Sequence, residues 1–357
     1  MRRLTKTTVR FAGSLIILSS ALSSAVQAAN EALTSIKTDS TITLDGVVES
    51  HWDTAPPLSV QLDNLPYKAN NYAGITSTSL QIKSLYDDHY VYFLVQYDDP
   101  TKSLSRYPWE KQADGSWIQL KDKDQTGHDN VYYEDKLGIF WNINARGFAK
   151  KGCDAACHMQ DDQGKIAGID QQGKAPGRKY TRNGQSIDMW HWKSARMNPV
   201  GLIDDQYVDD VKDPSVNKNW GRHGDSKTGG GYFNNINEAN TGPAFMNRSQ
   251  GNVDGYTITP SQKTAFIDTF KPGDRIPGIM AEPFTGSRGD IWAKGDWRNG
   301  KWTIEIKRAL VTTGDKAKIQ DVQFSDLSQT YHFGISVFDN SQINHLYHEG
   351  AYNFTFK

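Results

Sequence analysis

The feature that most limits the fold is a pair of strand-forming runs in "SLQIKSLYDDHYVYFLVQYDDP". In the first run, Leu80 and Ile82 alternate with polar residues before the turn residues Asp87-Asp88. The second run, which ends at Tyr97, carries large side chains at nearly every position. A strand with bulky residues on both faces is covered on both sides. We therefore predict a hairpin whose second strand lies at the centre of a sandwich.

Further strand signals occur in the middle and towards the end of the chain. "DKLGIFWNIN" and "TYHFGISVFDN" are short runs rich in β-branched and aromatic residues. Asn299-Gly300 separates Trp297 from Trp302 and is a typical dipeptide of a type I′ hairpin turn. Helical periodicity is scarce. The sequence therefore predicts an all-β fold, a β-sandwich or barrel, with one domain over residues 29–357.

Residues 145–255 differ in composition from the rest of this domain. They are rich in Gly, Asn, Asp and Lys, as in "NWGRHGDSKTGGGYFNNINEANTGP". A structureless loop of this length is unusual inside a compact domain unless something organises it. Its aromatic residues, among them Trp220 and Phe233, are unlike the composition of a disordered segment. We predict a long loop-rich insertion that a bound cofactor helps to order.

The N-terminus, residues 1–28, has the pattern of a secretory signal peptide. Four basic residues precede an apolar run that is too short for a spanning helix, and Val26-Gln27-Ala28 is a cleavage pattern of the A-x-A type. The whole chain has a formal net charge of −1, so removal of the basic segment leaves a mildly acidic protein. We expect a periplasmic protein with no membrane anchor after cleavage and no nucleic-acid partner.

The two cysteines of the chain, Cys153 and Cys157, lie in "KKGCDAACHMQ", with His158 directly after the second. Three uses compete. A Cys153–Cys157 disulfide closes a very short loop, so it contributes little stability. A structural zinc site needs two further ligands, and the chain has no second cysteine pair. The third use is covalent haem, because two thiols can form thioethers with the vinyl groups while the adjacent histidine binds the iron.

The spacing favours covalent haem. The usual attachment motif of exported cytochromes is C-x-x-C-H, and the present one is C-x-x-x-C-H. The extra residue lengthens the loop between the thioethers without moving His158 relative to Cys157. One such motif predicts one covalent haem c, with His158 as the proximal iron ligand.

The segment "SIDMWHWKSARMNP" contains the best candidates for the second axial ligand of the iron. If this segment is extended, His191 and Lys193 share one face while Trp190 and Trp192 share the other. His191 is the first choice, and the flanking tryptophans are expected to wall a haem pocket, although a histidine bonded to a backbone carbonyl is an equally simple interpretation. Lys193 and Met197 rank lower as distal ligands. Other side chains are weaker candidates near the haem: Met159, Met246, Tyr132, Tyr133, His128 and His223.

Two pairs of adjacent carboxylates also stand out. Asp204-Asp205 and Asp209-Asp210 are most simply solvated turns or an acidic docking edge. Motifs for phosphate loops, dinucleotide binding and a serine nucleophile elbow are absent from the sequence. We therefore expect no catalytic residues in this chain.

Seven segments in order resemble a known family. They are "TITLDGVVESHWDTA", "SLYDDHYVYFLVQYDDP", "EDKLGIFWNIN", "GCDAACHM", "DMWHWKSARMNPVG", "WRNGKWTIEIKRAL" and "YHFGISVFDN". Together they resemble the ethylbenzene dehydrogenase-related haem-binding domain, over about residues 41–357. This domain also forms the haem subunit of periplasmic molybdenum enzymes of the dimethyl sulfoxide reductase type.

The resemblance implies a β-sandwich similar to carbohydrate-binding and DOMON-like domains, with haem at one end and a role in electron transfer. The enzyme subunits hold a b-type haem between a methionine and a lysine, whereas Cys153, Cys157 and His158 match the branch with covalent haem. We therefore expect a periplasmic monohaem cytochrome that carries electrons between redox partners, with a molybdenum oxidoreductase as a candidate partner, and that is not itself an enzyme. Two alternatives stay open: a carbohydrate- or ligand-binding module with a Cys153–Cys157 disulfide, and a haem sensor or enzyme with an open iron site.

Overall fold

The computed structural model describes residues 32–65, 69–157, 179–213, 215–247 and 257–357. The predicted signal peptide, His158 and Met159 lie outside the described residues. The short helices are α1 (Phe148–Lys151) and α2 (Ala317–Gln320). The strands are β1 (Ala32–Lys37), β2 (Leu58–Leu62), β3 (Thr78–Tyr86), β4 (Tyr90–Asp98), β5 (Trp109–Lys111), β6 (Trp117–Gln119), β7 (Lys136–Asn142), β8 (Ile187–Lys193), β9 (Asp204–Val208), β10 (Arg222–Gly224), β11 (Gly229–Asn234), β12 (Phe245–Asn247), β13 (Lys263–Ala265), β14 (Arg275–Ile276), β15 (Ile279–Thr285), β16 (Ile291–Arg298), β17 (Lys301–Ala309), β18 (Tyr331–Phe338), β19 (Leu346–Tyr347) and β20 (Tyr352–Phe356).

The hairpin predicted around Asp87-Asp88 is formed by β3 and β4. These strands pair antiparallel, and the Asp87 carboxylate accepts hydrogen bonds from the backbone N–H groups of His89 and Tyr90 at 2.8 and 2.7 Å. β4 also pairs with β17, so it has a neighbour on each side. Phe93 packs in the main core, while Leu94 packs in a second apolar cluster on the other face. The prediction of a central strand covered on both faces is confirmed.

The principal sheet of the described chain has thirteen strands. Its order is β10-β9-β8-β7-β18-β20-β1-β3-β4-β17-β16, with β19 paired to β18 and β2 paired to β3. β1 pairs in parallel with β20 on one side and with β3 on the other, so it joins the half of the sheet that ends at β10 to the half that ends at β16. The sheet folds over itself at this junction. At the other edge, a bridge between Leu202 and Trp292 brings the two ends together. The fold is an all-β sandwich, as predicted.

Aromatic side chains from both layers fill the space between them. The ring of Phe93 on β4 lies 5.6 Å from that of Trp141 and 5.7 Å from that of Trp190, both on the facing layer. The rings of Trp192 and Trp302 join the same two layers at 5.0 Å. All of these side chains are buried. Because aromatic residues bury large areas, these contacts explain how the sheet closes on itself without disulfides.

The second predicted hairpin is formed by β16 and β17. Trp297 lies opposite Trp302, and Asn299 and Gly300 form the turn with φ values of 53° and 77°. A type I′ turn needs positive φ at both central residues, which Asn and Gly tolerate best. This prediction is confirmed.

The segment of residues 145–255 contains strands of the principal sheet. β8 lies between β7 and β9, and every residue of β8 is buried. The described remainder consists of short strands and turns. The Gly- and Asn-rich composition predicts the turns but conceals three short runs, β8, β9 and β10, that pair with the main sheet. Among the described residues, no helix is long and apolar enough to cross a membrane.

Candidate functional site

The outer face of β8 forms the floor of the candidate site. Successive strand residues point to opposite faces, so Met189, His191 and Lys193 share the outer face. On β7, Phe140 lies opposite Met189 and Lys136 lies opposite Lys193. The outer face is therefore apolar at one end and basic at the other.

The cysteine turn covers the apolar end of this floor. The N–H of Cys157 donates to the carbonyl of Cys153 at 2.8 Å, as in one turn of α-helix, which places both side chains on one face. Both cysteines are free and buried, and they pack in one apolar cluster with Phe140 and Met189. Cys153 lies directly over Gly334 of β18, where an added Cβ would approach its Sγ to 2.8 Å.

Burial raises the pKa of both thiols, so each is protonated at neutral pH. The positive charges of Lys179 and Arg222 oppose this rise at Cys157. These same two cations line a cavity beside the cysteine turn. The thiol of Cys157 therefore lies at the junction between the apolar cluster and the cavity.

This cavity, which we call the basic cavity, has a volume of about 260 Å³. Basic side chains dominate its lining, together with a few aromatic and polar residues. It is lined by His128, Tyr133, Lys136, Lys179, His191, Lys193, Arg196, Lys218, Asn219, Trp220, Arg222, Tyr232, Gln342 and Ile343.

Two buried carboxylates offset part of this positive charge. Asp204 forms an ion pair with Lys193 and accepts a hydrogen bond from Nε of Arg288 at 2.7 Å. Glu134 forms an ion pair with Arg196 and accepts the backbone N–H of Ala195 at 3.0 Å. More cations than these carboxylates can balance surround the cavity, so it suits a ligand with anionic groups.

His191 is nearly fully buried in the wall of the cavity. Burial lowers its pKa well below the usual range, and the nearby charges of Lys193 and Arg222 act in the same direction, so the imidazole is neutral. Its Nδ1 accepts a hydrogen bond from the Arg222 guanidinium at 3.0 Å. Among the described residues, none forms a hydrogen bond with its Nε2. A neutral buried imidazole with one unpartnered nitrogen is a suitable metal ligand.

The contact with Arg222 sets a condition on this role. A guanidinium only donates, so the proton of His191 resides on Nε2 while Arg222 contacts Nδ1. Ligation through Nε2 requires the proton on Nδ1, and therefore requires Arg222 to leave that atom. An anionic ligand group in the cavity would compete for Arg222 and release Nδ1.

His128 lines the same cavity with the opposite proton arrangement. The Thr126 hydroxyl donates to Asp124 at 2.7 Å, so Thr126 accepts the hydrogen bond of 2.8 Å that joins it to Nδ1 of His128. The proton of His128 thus resides on Nδ1, which leaves a lone pair on Nε2. His128 is therefore a second candidate ligand.

Comparison with known proteins identifies the family. The sequence model described as ethylbenzene dehydrogenase matches residues 49–350. The chain belongs to the ethylbenzene dehydrogenase family. The match includes the whole basic cavity and both cysteines. A search of curated proteins finds no match.

Three of the solved structures that match this chain are 9–11% identical to it. A family 9 carbohydrate-binding module from Caldicellulosiruptor kristjanssonii in complex with glucose is 11% identical, covers 91% of this chain and 95% of its own, and has a TM-score of 0.33. The same module in complex with cellotriose is 11% identical, the match covers 92% of this chain and 95% of the module, and the TM-score is 0.31. A Bacteroides uniformis protein named as a carbohydrate-binding candidate is 9% identical, the match covers 92% of this chain and 99% of that protein, and the TM-score is 0.36.

Within this family member, the structure separates residues that the sequence pattern groups together. Trp190 and Trp192 point into the core between the layers, on the face of β8 opposite His191. They do not wall the basic cavity, because neighbouring residues of a strand face opposite ways. The expected pairing of His191 with these two tryptophans is therefore corrected.

The lower-ranked candidates for the second iron ligand lie in different parts of the fold. Lys193 lines the cavity, but its amine is held by Asp204. Met197 packs against Leu202 and Phe284 in a separate apolar cluster. Met246 packs in another cluster with Trp109.

The structure also shows where other residues named in the sequence analysis lie. Tyr133 lines the cavity. The prediction of solvated turns at Asp204-Asp205 is wrong, since both residues are fully buried on β9. The cations of the cavity were missed by sequence analysis, because Lys136, Lys179 and Arg222 are far apart in the chain and form no motif.

Proposed function

We propose that this member of the ethylbenzene dehydrogenase family is an exported electron-transfer protein with one covalently bound haem c. The observation that carries the proposal is the position of His191. His191 lines the same cavity as Lys179 and Arg222, the two cations that act on Cys157, and its buried Nε2 accepts and donates no hydrogen bond within the described part of the chain. This proximity supports one site that would hold both the attachment residues and an iron ligand.

Cys153 and Cys157 would hold the haem. Each thiol would add across one vinyl group, with an S–C bond formed and the thiol hydrogen passed to the other vinyl carbon. This addition needs reduced thiols, which is the state of both cysteines in the structure. His158 would bind the iron on one side, as its place beside Cys157 implies. When bound, the haem supplies a one-electron couple.

The cations of the basic cavity would bind the carboxylate groups of the haem. Arg222 is the pivotal residue, because it holds His191 in the proton arrangement that blocks ligation through Nε2. A carboxylate bound by Arg222 would free Nδ1 of His191 to carry the proton. We therefore assign His191 as the second iron ligand and Arg222 as the residue that controls its proton.

The family also suggests the partner. Ethylbenzene dehydrogenase family membership links the chain to molybdenum oxidoreductases, so we propose such an enzyme, or a periplasmic redox protein, as the electron-transfer partner. We propose a periplasmic location, which fits the signal-peptide pattern of residues 1–28.

The test uses the full chain produced in a bacterial strain that matures c-type cytochromes. Denaturing gels stained for haem should show one covalent haem per chain in the wild type. The double variant Cys153→Ala/Cys157→Ala should lose the stain. Met246→Leu is the matched control, because Met246 is equally buried but lies in another cluster. A wild-type protein without haem, with the two cysteines joined as a disulfide, would refute the proposal and favour a ligand-binding module.

The iron ligand is tested by spectroscopy of the haem-loaded protein. His191→Ala should convert a low-spin ferric spectrum to a high-spin one, whereas His128→Ala should leave it low-spin. The reverse result would move the assignment from His191 to His128. A high-spin wild type would contradict the second ligand and indicate an open iron site.

A further inference from the structure

A group of buried carboxylates lies on the side of β9 opposite the basic cavity. Asp205 of β9 faces inward, while Asp225 follows β10 and Asp321 follows α2. One carboxylate oxygen from each of the three lies within 4.8 Å of the other two. Asp188 of β8 and Asp290 flank them and affect their ionisation. We call these five residues the acidic cluster.

The three central carboxylates have a common arrangement. One oxygen of each is held by a protein donor: Asp205 by the N–H of Gln206 at 2.9 Å, Asp225 by Oγ of Ser287 at 3.0 Å, and Asp321 by Oγ1 of Thr312 at 2.6 Å. In the described part of the chain, no N–H or hydroxyl group donates to the other oxygen of each, which is buried. Neighbouring groups thus orient the three side chains, and the carboxyl groups of Asp225 and Asp321 lie within hydrogen-bond reach of each other, so they can share a proton when no cation is bound.

The flanking residues repeat this pattern. Asp188 is fully buried, and one of its oxygens accepts from Nε1 of Trp190 at 3.0 Å, while the other has no donor. One oxygen of Asp290 also lacks a donor. Among the described residues, the buried guanidinium of Arg308 faces these groups, with Nη2 3.8 Å from Asp188, and the partly buried Arg288, which is paired with Asp204, also acts on Asp225. Two guanidinium groups cannot balance five carboxylates, so the cluster has surplus negative charge.

A second carboxylate trio in the described chain shows what a purely structural cluster looks like. Asp99, Asp135 and Asp339 also place ligand oxygens within 4.8 Å of one another. Here Asp135 accepts from the N–H groups of Asn340 and Ser103 at 2.9 and 2.8 Å. Both oxygens of Asp339 also have donors, and only one oxygen of this trio lacks one. Burial and proximity alone therefore do not distinguish the acidic cluster, whereas its unpartnered oxygens do.

An unpartnered buried carboxylate must bind a proton or a cation. Burial raises the pKa of Asp205 well above its usual range, and Asp188 and Asp225 add to this rise. Burial likewise raises the pKa of Asp225 to about 8. Without a cation, the acidic cluster therefore retains protons at neutral pH, and a bound cation would displace them.

We propose that the acidic cluster binds a calcium ion through Asp205, Asp225 and Asp321, with Asp188 and Asp290 completing its negative surroundings. Calcium prefers oxygen ligands and binds six to eight of them in flexible geometry. Zinc prefers nitrogen and sulfur ligands, which the three converging groups do not supply. Magnesium keeps several waters and favours sites with fewer protein carboxylates. This inference does not depend on haem.

The proposed ion would also stabilise the wall of the basic cavity. The short turn Ser287–Gly289 contacts both sites, because Ser287 orients Asp225 and the neighbouring Arg288 binds Asp204. Asp204 in turn holds Lys193 in the cavity wall. A cation on one side of β9 therefore fixes the strand and the turn that position charges on the other side.

The first experiment uses the purified full chain in calcium-free buffer. Adding Ca²⁺ should raise Tm by about 3–5 °C at a concentration near one hundred times Kd, and excess chelator should reverse the rise. The same concentration of Mg²⁺ should give less than half of this shift. Tb³⁺ should bind competitively and show emission sensitised by Trp190, which contacts Asp188.

Matched variants locate the ion. Asp225→Asn and Asp321→Asn should each abolish the Ca²⁺-dependent rise in Tm, whereas Asp339→Asn in the other trio should keep it. A wild type that shows no Tm response to Ca²⁺ or chelator and no Tb³⁺ emission would overturn the proposal. An equal loss of the response in Asp339→Asn would contradict the assignment of the ion to the acidic cluster. The Tb³⁺ measurement on the wild type remains decisive if one variant fails to fold.

Discussion

Asp204 and Asp205 are neighbours in sequence and lie in opposite electrostatic surroundings. Asp204 faces the basic cavity, where Lys193 and Arg288 hold its pKa below the usual range in spite of burial. Asp205 faces the acidic cluster, where burial and other carboxylates raise its pKa. Both are fully buried. Their difference therefore comes from the direction in which a strand points its side chains, and burial alone does not explain it.

The comparison shows how one strand can separate two ligand sites. The cavity side carries surplus positive charge and suits the carboxylates of a haem, while the cluster side carries surplus negative charge and suits a metal cation. A buried charge surplus is costly without a ligand of opposite sign. The surplus charge on each side of β9 therefore predicts a ligand of the opposite charge on that side.

The largest expected effect distinguishes Asp204 from Asp205 directly. Asp204→Asn leaves Lys193 buried without its partner, so the free energy of unfolding should fall by about 3–5 kcal/mol. Asp205→Asn removes a carboxylate from a group with too much negative charge. In calcium-free buffer it should change the free energy of unfolding by less than about 1 kcal/mol.

Urea unfolding of both variants under chelation measures this difference. Lys193→Met/Asp204→Asn is the control, because the apolar side chain removes the unpaired cation and should recover part of the loss. Equal destabilisation by Asp204→Asn and Asp205→Asn would show that the two sides of β9 do not differ in charge balance.

A buried carboxylate of the hydrogen-bonded trio should also make stability depend on pH. Asp99 belongs to the hydrogen-bonded trio, and burial together with Asp339 raises its pKa from 3.8 to about 7. Between these values the folded state binds a proton that the unfolded state has released. The contribution of Asp99 to stability is therefore greatest below about pH 4 and falls as pH rises towards 7, with a slope of up to about 1.4 kcal/mol per pH unit.

Asp99→Asn should flatten this slope, because an amide resembles the protonated carboxyl and does not titrate. Urea unfolding from pH 4 to pH 8 in the presence of Ca²⁺ measures it. Asp98→Asn, at the exposed neighbouring position, is the control and should keep the slope of the wild type. A steeper slope in Asp99→Asn would contradict the direction of the pKa shift.

The sandwich was predictable from the sequence because its strongest signals are local. The turn at Asp87-Asp88 and the Asn299-Gly300 dipeptide each mark a hairpin within a few residues. The alternation around His191 also predicts correctly that Met189 and Lys193 share its face. These inferences need only the period of a strand and the preferences of turn residues.

The two charged sites were not predictable in the same way. Lys179 and Arg222 meet in the cavity, and Asp205 and Asp321 meet in the cluster, only after distant strands pair. Two adjacent aspartates look like a solvated turn in sequence, because no local pattern reveals that β9 is buried on both faces. The strand pattern correctly placed Trp190 and Trp192 on the face opposite His191, but the sequence did not reveal that this face packs into the core and not against the cavity.

The smallest expected effect concerns the surplus charge of the cavity in the haem-loaded protein. Lys179→Gln removes one cation beside Cys157, and a positive charge disfavours the oxidised iron. The reduction potential should therefore fall by about 20–60 mV, which corresponds to about 0.5–1.4 kcal/mol for one electron. Redox titration measures it, with Lys179→Arg as the charge-conserving control. A fall of similar size in Lys179→Arg would attribute the effect to packing. If neither variant shifts the potential, the cavity cations do not surround the haem, and the contrast across β9 would concern stability alone.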